Sequence, residues 1–193
     1  MSSASQLESL VGQPQLLDAA QLHRTVVRLA HEIAERHPAL DGTVLAGVRT
    51  RGVPLAVRLA GALEGFAGRP EVVALDPRGY RDDRPRPVEP RPTALHAVDG
   101  GPPPQVTDAT VIVVDDVLFT GRTLRAALDA LVAAGRPAAV EVLTLVDRGH
   151  RELPLRATYA GKNVPTALGD RVCVRLREVD GVDGAWLVRG SAS

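Results

Sequence analysis

The chain has 193 residues, of which 45% are hydrophobic, and this size suits one α/β domain with a sizeable core. Its 23 basic and 23 acidic residues cancel, which excludes nucleic-acid binding through overall charge and leaves only a local basic patch. The single Cys173 excludes an internal disulfide and fits a reducing compartment. Because there is also no apolar run of about 20 residues and no signal-peptide pattern, we expect a cytoplasmic protein without membrane contact.

The amino-terminal part of the chain predicts a tail followed by a helix. Residues 1–15 are small and polar, and we expect a disordered tail there. Asp18 and Gln21 have the spacing of a capping box, which predicts a helix that ends near Arg36. One face of this helix is apolar and the other is basic, which is typical of a solvated surface but also suits an anionic partner. The basic residues are Arg24, Arg28, His31 and Arg36.

Two further strands are predicted before the middle of the chain. Residues 43–48 form an apolar run that leads through Thr50, Arg51 and Gly52 into a second helix. Residues 71–75 predict the next strand. A strand that runs through a glycine loop into a helix is a weak signal alone, because most such loops are only connections.

A proline-rich segment over residues 76–106 follows. Connections of this length are rare in compact domains unless they act as lids or are linkers. A lid would exclude water from a reactive intermediate, and we then expect Tyr80 and Arg81 to reach inward. A plain proline-rich linker is the alternative.

The chain is organised around residues 110–137. An unbroken β-branched run over residues 111–114 predicts a buried parallel strand, which we expect to end at Asp115 and Asp116. A polar loop, Thr120-Gly121-Arg122-Thr123, then opens a helix whose apolar positions share one face. Those positions are Leu124, Ala127, Leu128, Leu131 and Val132.

This pattern predicts a ligand with two kinds of group. Unpaired N–H groups at a helix N-terminus, together with hydroxyls and an arginine, bind a phosphate monoester. The carboxylates of Asp115 and Asp116 would repel that phosphate unless they face hydroxyls or a divalent cation. A sugar phosphate with a free cis-diol meets both requirements, and the earlier loop at Arg51 would place a second anion site beside the first.

The rest of the chain predicts strands over residues 139–146, 172–176 and 185–188. Strands alternate with helices up to residue 134, and the tail is rich in strands. The fold class is therefore α/β, with a central, mostly parallel sheet flanked by helices, a small hood and a flexible lid, in a single domain over residues 16–193.

The central stretch resembles the 5-phosphoribosyl-1-diphosphate (PRPP) signature of type I phosphoribosyltransferases. The resemblance implies that Asp115 and Asp116 hold the ribose hydroxyls, with Arg51 completing the catalytic set, and that Mg²⁺ accompanies the diphosphate. It also implies metal contacts from Asp115, Asp116 and Glu178. The substrate contacts that it implies are Thr50, Arg51, Gly52, Arg81, Asp115, Asp116, Val117, Leu118, Phe119, Thr120, Gly121, Arg122, Thr123, Arg148 and Val172.

Five runs, at residues 47–52, 80–83, 110–123, 145–154 and 161–166, resemble the pyrimidine operon attenuator proteins that also act as uracil phosphoribosyltransferases. That family implies PRPP, uracil and UMP or UTP as ligands, a pyrimidine-operon mRNA leader hairpin as partner, and a homodimer or higher homo-oligomer. Two alternatives stay open, namely a catalytically silent UMP-sensing regulator and a salvage enzyme for another base. The RNA contacts that the family implies are Arg24, Arg28, His31, Arg36, His150, Arg151, Arg156 and Lys162, of which Lys162 is also a candidate base contact.

Overall fold

The computed structural model describes residues 10–80, 94–102 and 105–190. Arg81 and about half of the segment expected to be a lid, residues 81–93 and 103–104, lie outside these residues. No helix within the described ranges is long and apolar enough to cross a membrane.

Four helices and nine strands make up the described part of the chain. The helices are α1 Ala19–Arg36, α2 Gly52–Glu64, α3 Arg122–Ala134 and the one-turn α4 Arg177–Asp180. The strands are β1 Gln15–Leu17, β2 Thr43–Val48, β3 Glu71–Leu75, β4 Leu95–Ala97, β5 Thr110–Leu118, β6 Ala139–Asp147, β7 Tyr159–Asn163, β8 Arg171–Arg175 and β9 Gly184–Val188.

The central sheet has six strands in the order β4-β3-β2-β5-β6-β7. All neighbours run parallel except β3 and β4. Residues 111–114 of β5 are fully buried, because helices cover both faces of the sheet: α1 and α2 pack on one face, and α3 packs on the other. The predicted mostly parallel sheet flanked by helices is confirmed.

A second sheet of three antiparallel strands, in the order β1-β9-β8, forms the hood. Its strands β8 and β9 lie within one residue of the predicted positions. Strand β1 was not predicted. In it Gln15 pairs with Trp186, and Leu10, which precedes the strand, is only 6% exposed. The ordered chain therefore begins earlier than residue 16, because the free edge of β9 offers residues 15–17 hydrogen-bonding partners.

Other differences from the predictions have local physical causes. Strand β5 does not stop at Asp115 but continues to Leu118, because β6 runs beside it to Asp147. Val132 was predicted on the core face of α3 but is 71% exposed; the helix buries Ala126 and Ala130 instead. Strands β7 and β4 were not predicted, and β4 shows that part of residues 76–106 joins the sheet edge.

Candidate active site

Two loops meet at the carboxyl edge of the central sheet. One joins β2 to α2 and contains Thr50 and Arg51, and the other joins β5 to α3 around Gly121. The loops are adjacent because β2 and β5 are hydrogen-bonded neighbours. A Cβ atom on Gly52 would lie 3.2 Å from the carbonyl carbon of Val114 and closer still to its oxygen. The absence of that Cβ lets the first loop sit directly against the end of β5.

Asp115 and Asp116 lie in this cleft as half-buried residues of β5. The backbone N–H of Asp116 donates to Asp115 Oδ1 at 3.0 Å, and the N–H of Val117 donates to Asp116 Oδ1 at 3.0 Å. Burial raises the pKa of both carboxyl groups, and the charge of Asp116 raises the pKa of Asp115 further. The pair is therefore short of hydrogen-bond donors and positive charge, which a diol or a divalent cation would supply.

The loop before α3 is built to receive an anion. Gly121 is the N-cap residue with φ of 90°, a left-handed conformation that favours glycine, and it has no side chain to cap the helix. The N–H of Arg122 donates to Thr120 Oγ1 at 3.4 Å, and the first turn of α3 presents its N–H groups at the carboxyl edge of the sheet. Thr120 and Thr123 lie beside them, while Arg122 donates from Nε to Glu152 at 2.7 Å. A phosphate monoester fits this helix end.

Residues after β6 brace this loop from behind. Arg151 was predicted to contact RNA, but its side chain is only 18% exposed and is ion-paired with Asp147. Its Nη1 donates to the carbonyl of Phe119 at 2.5 Å, and its Nε donates to the carbonyl of Leu155 at 3.0 Å. Its donors are used inside the protein, and the RNA contact of Arg151 stays a prediction.

Arg148, a predicted diphosphate ligand, also has partners inside the protein. It is only 5% exposed, and it donates to Thr166 Oγ1 at 3.1 Å and to the carbonyl of Ala167 at 3.0 Å. Its guanidinium stacks over the Phe119 ring at 3.8 Å. Burial lowers the pKa of Arg148. The residue links the loop to residues 166–168, and its diphosphate contact stays a prediction. Leu118 is likewise a core side chain, so only its backbone borders the site.

Arg51 is held from the hood by a residue that the sequence reasoning missed. Its Nε and Nη2 donate to the two carboxylate oxygens of Asp180 at 2.9 and 2.8 Å. This hydrogen bonding raises the pKa of Arg51, to which Asp116 and Cys173 also contribute through their charge. Arg51 therefore lies between the β5 acids and the hood. No sequence signal links Arg51 to Asp180, because the two are 129 positions apart.

Two predicted site residues on the hood have other surroundings. Glu178 was predicted near a metal ion, but its carboxylate accepts two hydrogen bonds from Arg58, at 2.8 and 2.6 Å. The metal contact of Glu178 stays a prediction, and within the described ranges no group of three or more His, Cys, Asp or Glu could hold a metal ion. Val172 lies half-buried in β8, next to Cys173. Thr50, in contrast, is exposed and lines a hollow of about 300 Å³ with Pro54.

The basic face of α1 lies against the edge strand β7. Arg28 Nη2 donates to the carbonyl of Gly161 at 2.7 Å, and Lys162 Nζ donates to the carbonyl of Leu16 at 2.8 Å. Arg24, Arg28 and Lys162 line a surface hollow of about 300 Å³. Arg36 lies at the other end of the strand, 5.9 Å from the ring centre of Tyr159. The fold thus joins these residues in one basic stripe.

The other predicted RNA residues lie apart from that stripe. His31 stacks on Phe66 with ring centres 4.2 Å apart. His150 Nε2 lies 2.7 Å from the carbonyl oxygen of Thr166 and beside the Phe119 ring. Arg156 is exposed in the segment before β7. The predicted basic surface is therefore divided between the α1 stripe and the surroundings of the β5–α3 loop.

Comparison with known proteins assigns the chain to a family. A family model described as a phosphoribosyl transferase domain matches residues 12–167. The bifunctional protein PyrR of Chloroflexus aurantiacus is 52% identical over 182 residues, which cover 94% of this chain and 98% of that protein. The bifunctional protein PyrR of a Roseiflexus species is 50% identical over 189 residues, covering 95% and 99%.

Solved structures agree with this assignment at the level of the fold. The hypoxanthine phosphoribosyltransferase of Trypanosoma cruzi has a TM-score of 0.66 at 17% identity, and the match covers 93% of this chain and 98% of that one. At this identity the likeness concerns the fold alone. From the family match, the close relatives and the arrangement of the two loops around an acidic pair, we conclude that the chain belongs to the phosphoribosyltransferase family and, within it, to the bifunctional PyrR proteins.

Proposed function

We propose that this protein transfers the 5-phosphoribosyl group of PRPP to uracil, giving UMP and diphosphate. We also propose that, loaded with a uridine nucleotide, it binds the mRNA leader hairpin of a pyrimidine operon and controls its expression. The observation that carries the first part is the meeting of two loops around Asp115 and Asp116 at one sheet edge. Such a cleft can bind both ends of a pentose that carries two phosphate groups.

The α3 loop and the acidic pair bind different parts of the ribose 5-phosphate. The N–H groups of the α3 N-terminus receive the 5-phosphate, while Thr120 and Thr123 add hydroxyl donors. Asp115 and Asp116 accept hydrogen bonds from the two ribose hydroxyls. Because burial has already raised the pKa of both carboxyl groups, these donors relieve an existing electrostatic cost.

We assign the binding of the departing diphosphate to Arg51, together with Thr50 and the backbone of the β2–α2 loop. Positive charge fixed at this point stabilises a leaving group that gains negative charge as the ribosyl bond breaks. Mg²⁺, bound with PRPP, would neutralise the diphosphate and help to orient it. The described residues offer two carboxylates, Asp115 and Asp116, and this fits a cation that binds mainly through its substrate and water.

The α1 stripe is the surface that we assign to RNA. Arg24, Arg28 and Lys162 surround one hollow and can neutralise neighbouring phosphates, while a hairpin is otherwise recognised by shape and unpaired bases. A homodimer would double this surface. The single cysteine supports action in the reducing cytoplasm.

The enzymatic proposal is tested by UMP formation from PRPP and uracil with Mg²⁺. We expect turnover that Asp116→Asn abolishes, since the ribose hydroxyls lose a charged hydrogen-bond acceptor. We also expect a higher kcat/KM for uracil than for hypoxanthine, guanine or adenine. A preference for a purine would indicate the salvage alternative. UMP binding without turnover would indicate the silent regulator.

The RNA proposal is tested by gel shift of the upstream leader RNA with and without UMP. Arg24→Gln, in the hollow that Arg28 and Lys162 also line, should weaken the UMP-dependent shift and leave UMP synthesis unchanged. The matched control is Arg125→Gln on α3. It removes one exposed cation from another face of the protein and should leave the shift unaffected. A shift that does not depend on UMP would refute the regulatory part.

A further inference from the structure

Asp180 is the centre of a small charged network between the hood and the β2–α2 loop. Besides the two bonds from Arg51, its carboxylate accepts from Arg175 Nη1 at 2.9 Å and from the backbone N–H of Leu176 at 3.0 Å. The Asp180 side chain is only 9% exposed. Burial raises its pKa, but the hydrogen bonds from Arg51 and Leu176 more than offset this, so the net shift in pKa is downward.

Two of these bonds fix Asp180 independently of Arg51. The Leu176 N–H belongs to the backbone at the start of α4, and Arg175 belongs to β8, so the carboxylate is anchored within the hood. An anchored carboxylate that binds a guanidinium through two parallel bonds determines both its position and its plane. Asp180 therefore sets the direction of Arg51, although it follows Arg51 by 129 positions.

The bidentate pair uses only one edge of the guanidinium. Nε and Nη2 of Arg51 face Asp180, so Nη1 points away from the hood carboxylate. The charge of Arg51 also lowers the pKa of Asp116, which places the guanidinium near the acidic pair. Asp180 therefore leaves one edge of the guanidinium, at Nη1, outside the bidentate contact.

We propose that Asp180 is a positioning residue that holds Arg51 in the orientation needed to receive the diphosphate group of PRPP. The inference rests on the proposed function, in which Arg51 binds that group. Without Asp180, Arg51 is drawn to the next carboxylate, Asp116. The guanidinium then leaves the diphosphate position and also occupies an acceptor that the ribose hydroxyls need.

The test compares Asp180→Asn with Asp183→Asn in the full-length protein. Asp183 is the matched control, because it lies in the same hood turn and is also an arginine partner, accepting from Arg58 at 2.7 Å. Four quantities are measured: the KM for PRPP, kcat, the inhibition constant of diphosphate and the Kd of UMP. UMP separates the roles because it carries the ribose 5-phosphate and no diphosphate.

We expect Asp180→Asn to raise the KM for PRPP and the inhibition constant of diphosphate by about tenfold, the effect of losing one well-placed charge-assisted interaction. The Kd of UMP should change by less than about twofold, and Asp183→Asn should match the wild type in all four quantities. Asp180→Glu keeps the charge but moves the carboxylate by one methylene. This variant should fold and still raise the KM for PRPP, so the proposal stays testable if Asp180→Asn does not fold.

Three results would overturn the proposal. A lower KM for PRPP in Asp180→Asn would make Asp180 a competitor of the diphosphate. Equal losses in UMP and diphosphate affinity would make its role structural. Full additivity of Arg51→Ala and Asp180→Asn would show that the two residues act separately. Arg51→Ala alone decides a different question: if it leaves diphosphate inhibition unchanged, the proposed role of Arg51 fails, whatever Asp180 does.

Discussion

Replacing Gly47 by alanine should displace the start of α2 and with it the loop that carries Arg51. Gly47 lies in β2, and a Cβ atom there would be 2.5 Å from Val53 Cα and 2.6 Å from the carbonyl oxygen of Gly52. Carbon atoms in contact prefer about 3.5–4.0 Å, so the start of α2 must move by roughly 1 Å. Both neighbours are backbone atoms, and neither can rotate out of the way.

Two effects of this shift can be measured. Overpacking of this kind costs about 1–3 kcal/mol in the free energy of unfolding, which corresponds to a fall in Tm of about 2–4 °C for each kcal/mol. A displacement of about 1 Å in the loop that carries Arg51 should lower kcat/KM on the order of 100-fold. The Kd of UMP should change less, because the α3 loop is not displaced.

The matched control is Gly61→Ala in α2. No atom lies within 4 Å of a Cβ at Gly61, and alanine is the better helix former, so this variant should gain about 0.5–1 kcal/mol and keep wild-type turnover. Thermal unfolding and steady-state kinetics with PRPP and uracil measure both variants. If Gly47→Ala were as stable and as active as Gly61→Ala, the close packing of α2 against β2 would not control the position of Arg51.

Three further predictions follow from other residues of the site and surface. Asp115→Asn should abolish turnover yet stabilise the fold by roughly 1 kcal/mol at neutral pH, because burial and Asp116 raise the pKa of Asp115 and make its ionisation costly. Arg148→Met should lower stability by about 2–3 kcal/mol by leaving buried acceptors unpaired, without a selective rise in the KM for PRPP. Gly161→Ala should lower stability and weaken leader-RNA binding, because its Cβ would lie within clashing distance of the carbonyl oxygen of Leu145 in β6 and 2.8 Å from Thr25 Cγ2, and would push β7 away from both β6 and α1.

Each of these predictions has its own measurement and contrary result. For Asp115→Asn, unfolding is followed against pH. A raised pKa in the folded state means that the folded protein binds the proton more tightly, so the advantage of the variant grows as pH rises from about 3.9 to that value, is constant above it and vanishes below about pH 3.9. An advantage largest in acid would contradict this. For Arg148→Met, a raised KM for PRPP with unchanged stability would support its role as a diphosphate ligand. For Gly161→Ala, an unchanged gel shift would show that the α1 stripe does not bind RNA. Gly149→Ala cannot serve as its control, because Gly149 has φ of 77° and alanine would strain the backbone there.

Local patterns in the sequence were enough to predict the main elements. The capping box of Asp18 and Gln21 forms as expected and begins α1. The apolar runs of β2 and β5 are buried on both faces of a parallel sheet. These features depend on residues a few positions apart, and hydrophobic periodicity with capping chemistry encodes them directly.

The partner of a long charged side chain was decided only by tertiary structure. Sequence reasoning directed Arg148 to the diphosphate and Arg151 to RNA, yet both side chains turn inward to backbone carbonyls. It also placed Glu178 near a metal ion, whereas Asp180, two residues later, holds Arg51.

The physical reason is the length and flexibility of the arginine side chain. An arginine head group can contact partners in any direction from its own Cα, so its partner depends on which distant segments the fold brings close. The sequence by itself determined that an anion-binding loop and an acidic pair follow β5. Only the packing of the hood against the sheet decided that Arg51 meets Asp180, because no local pattern connects β2 with α4.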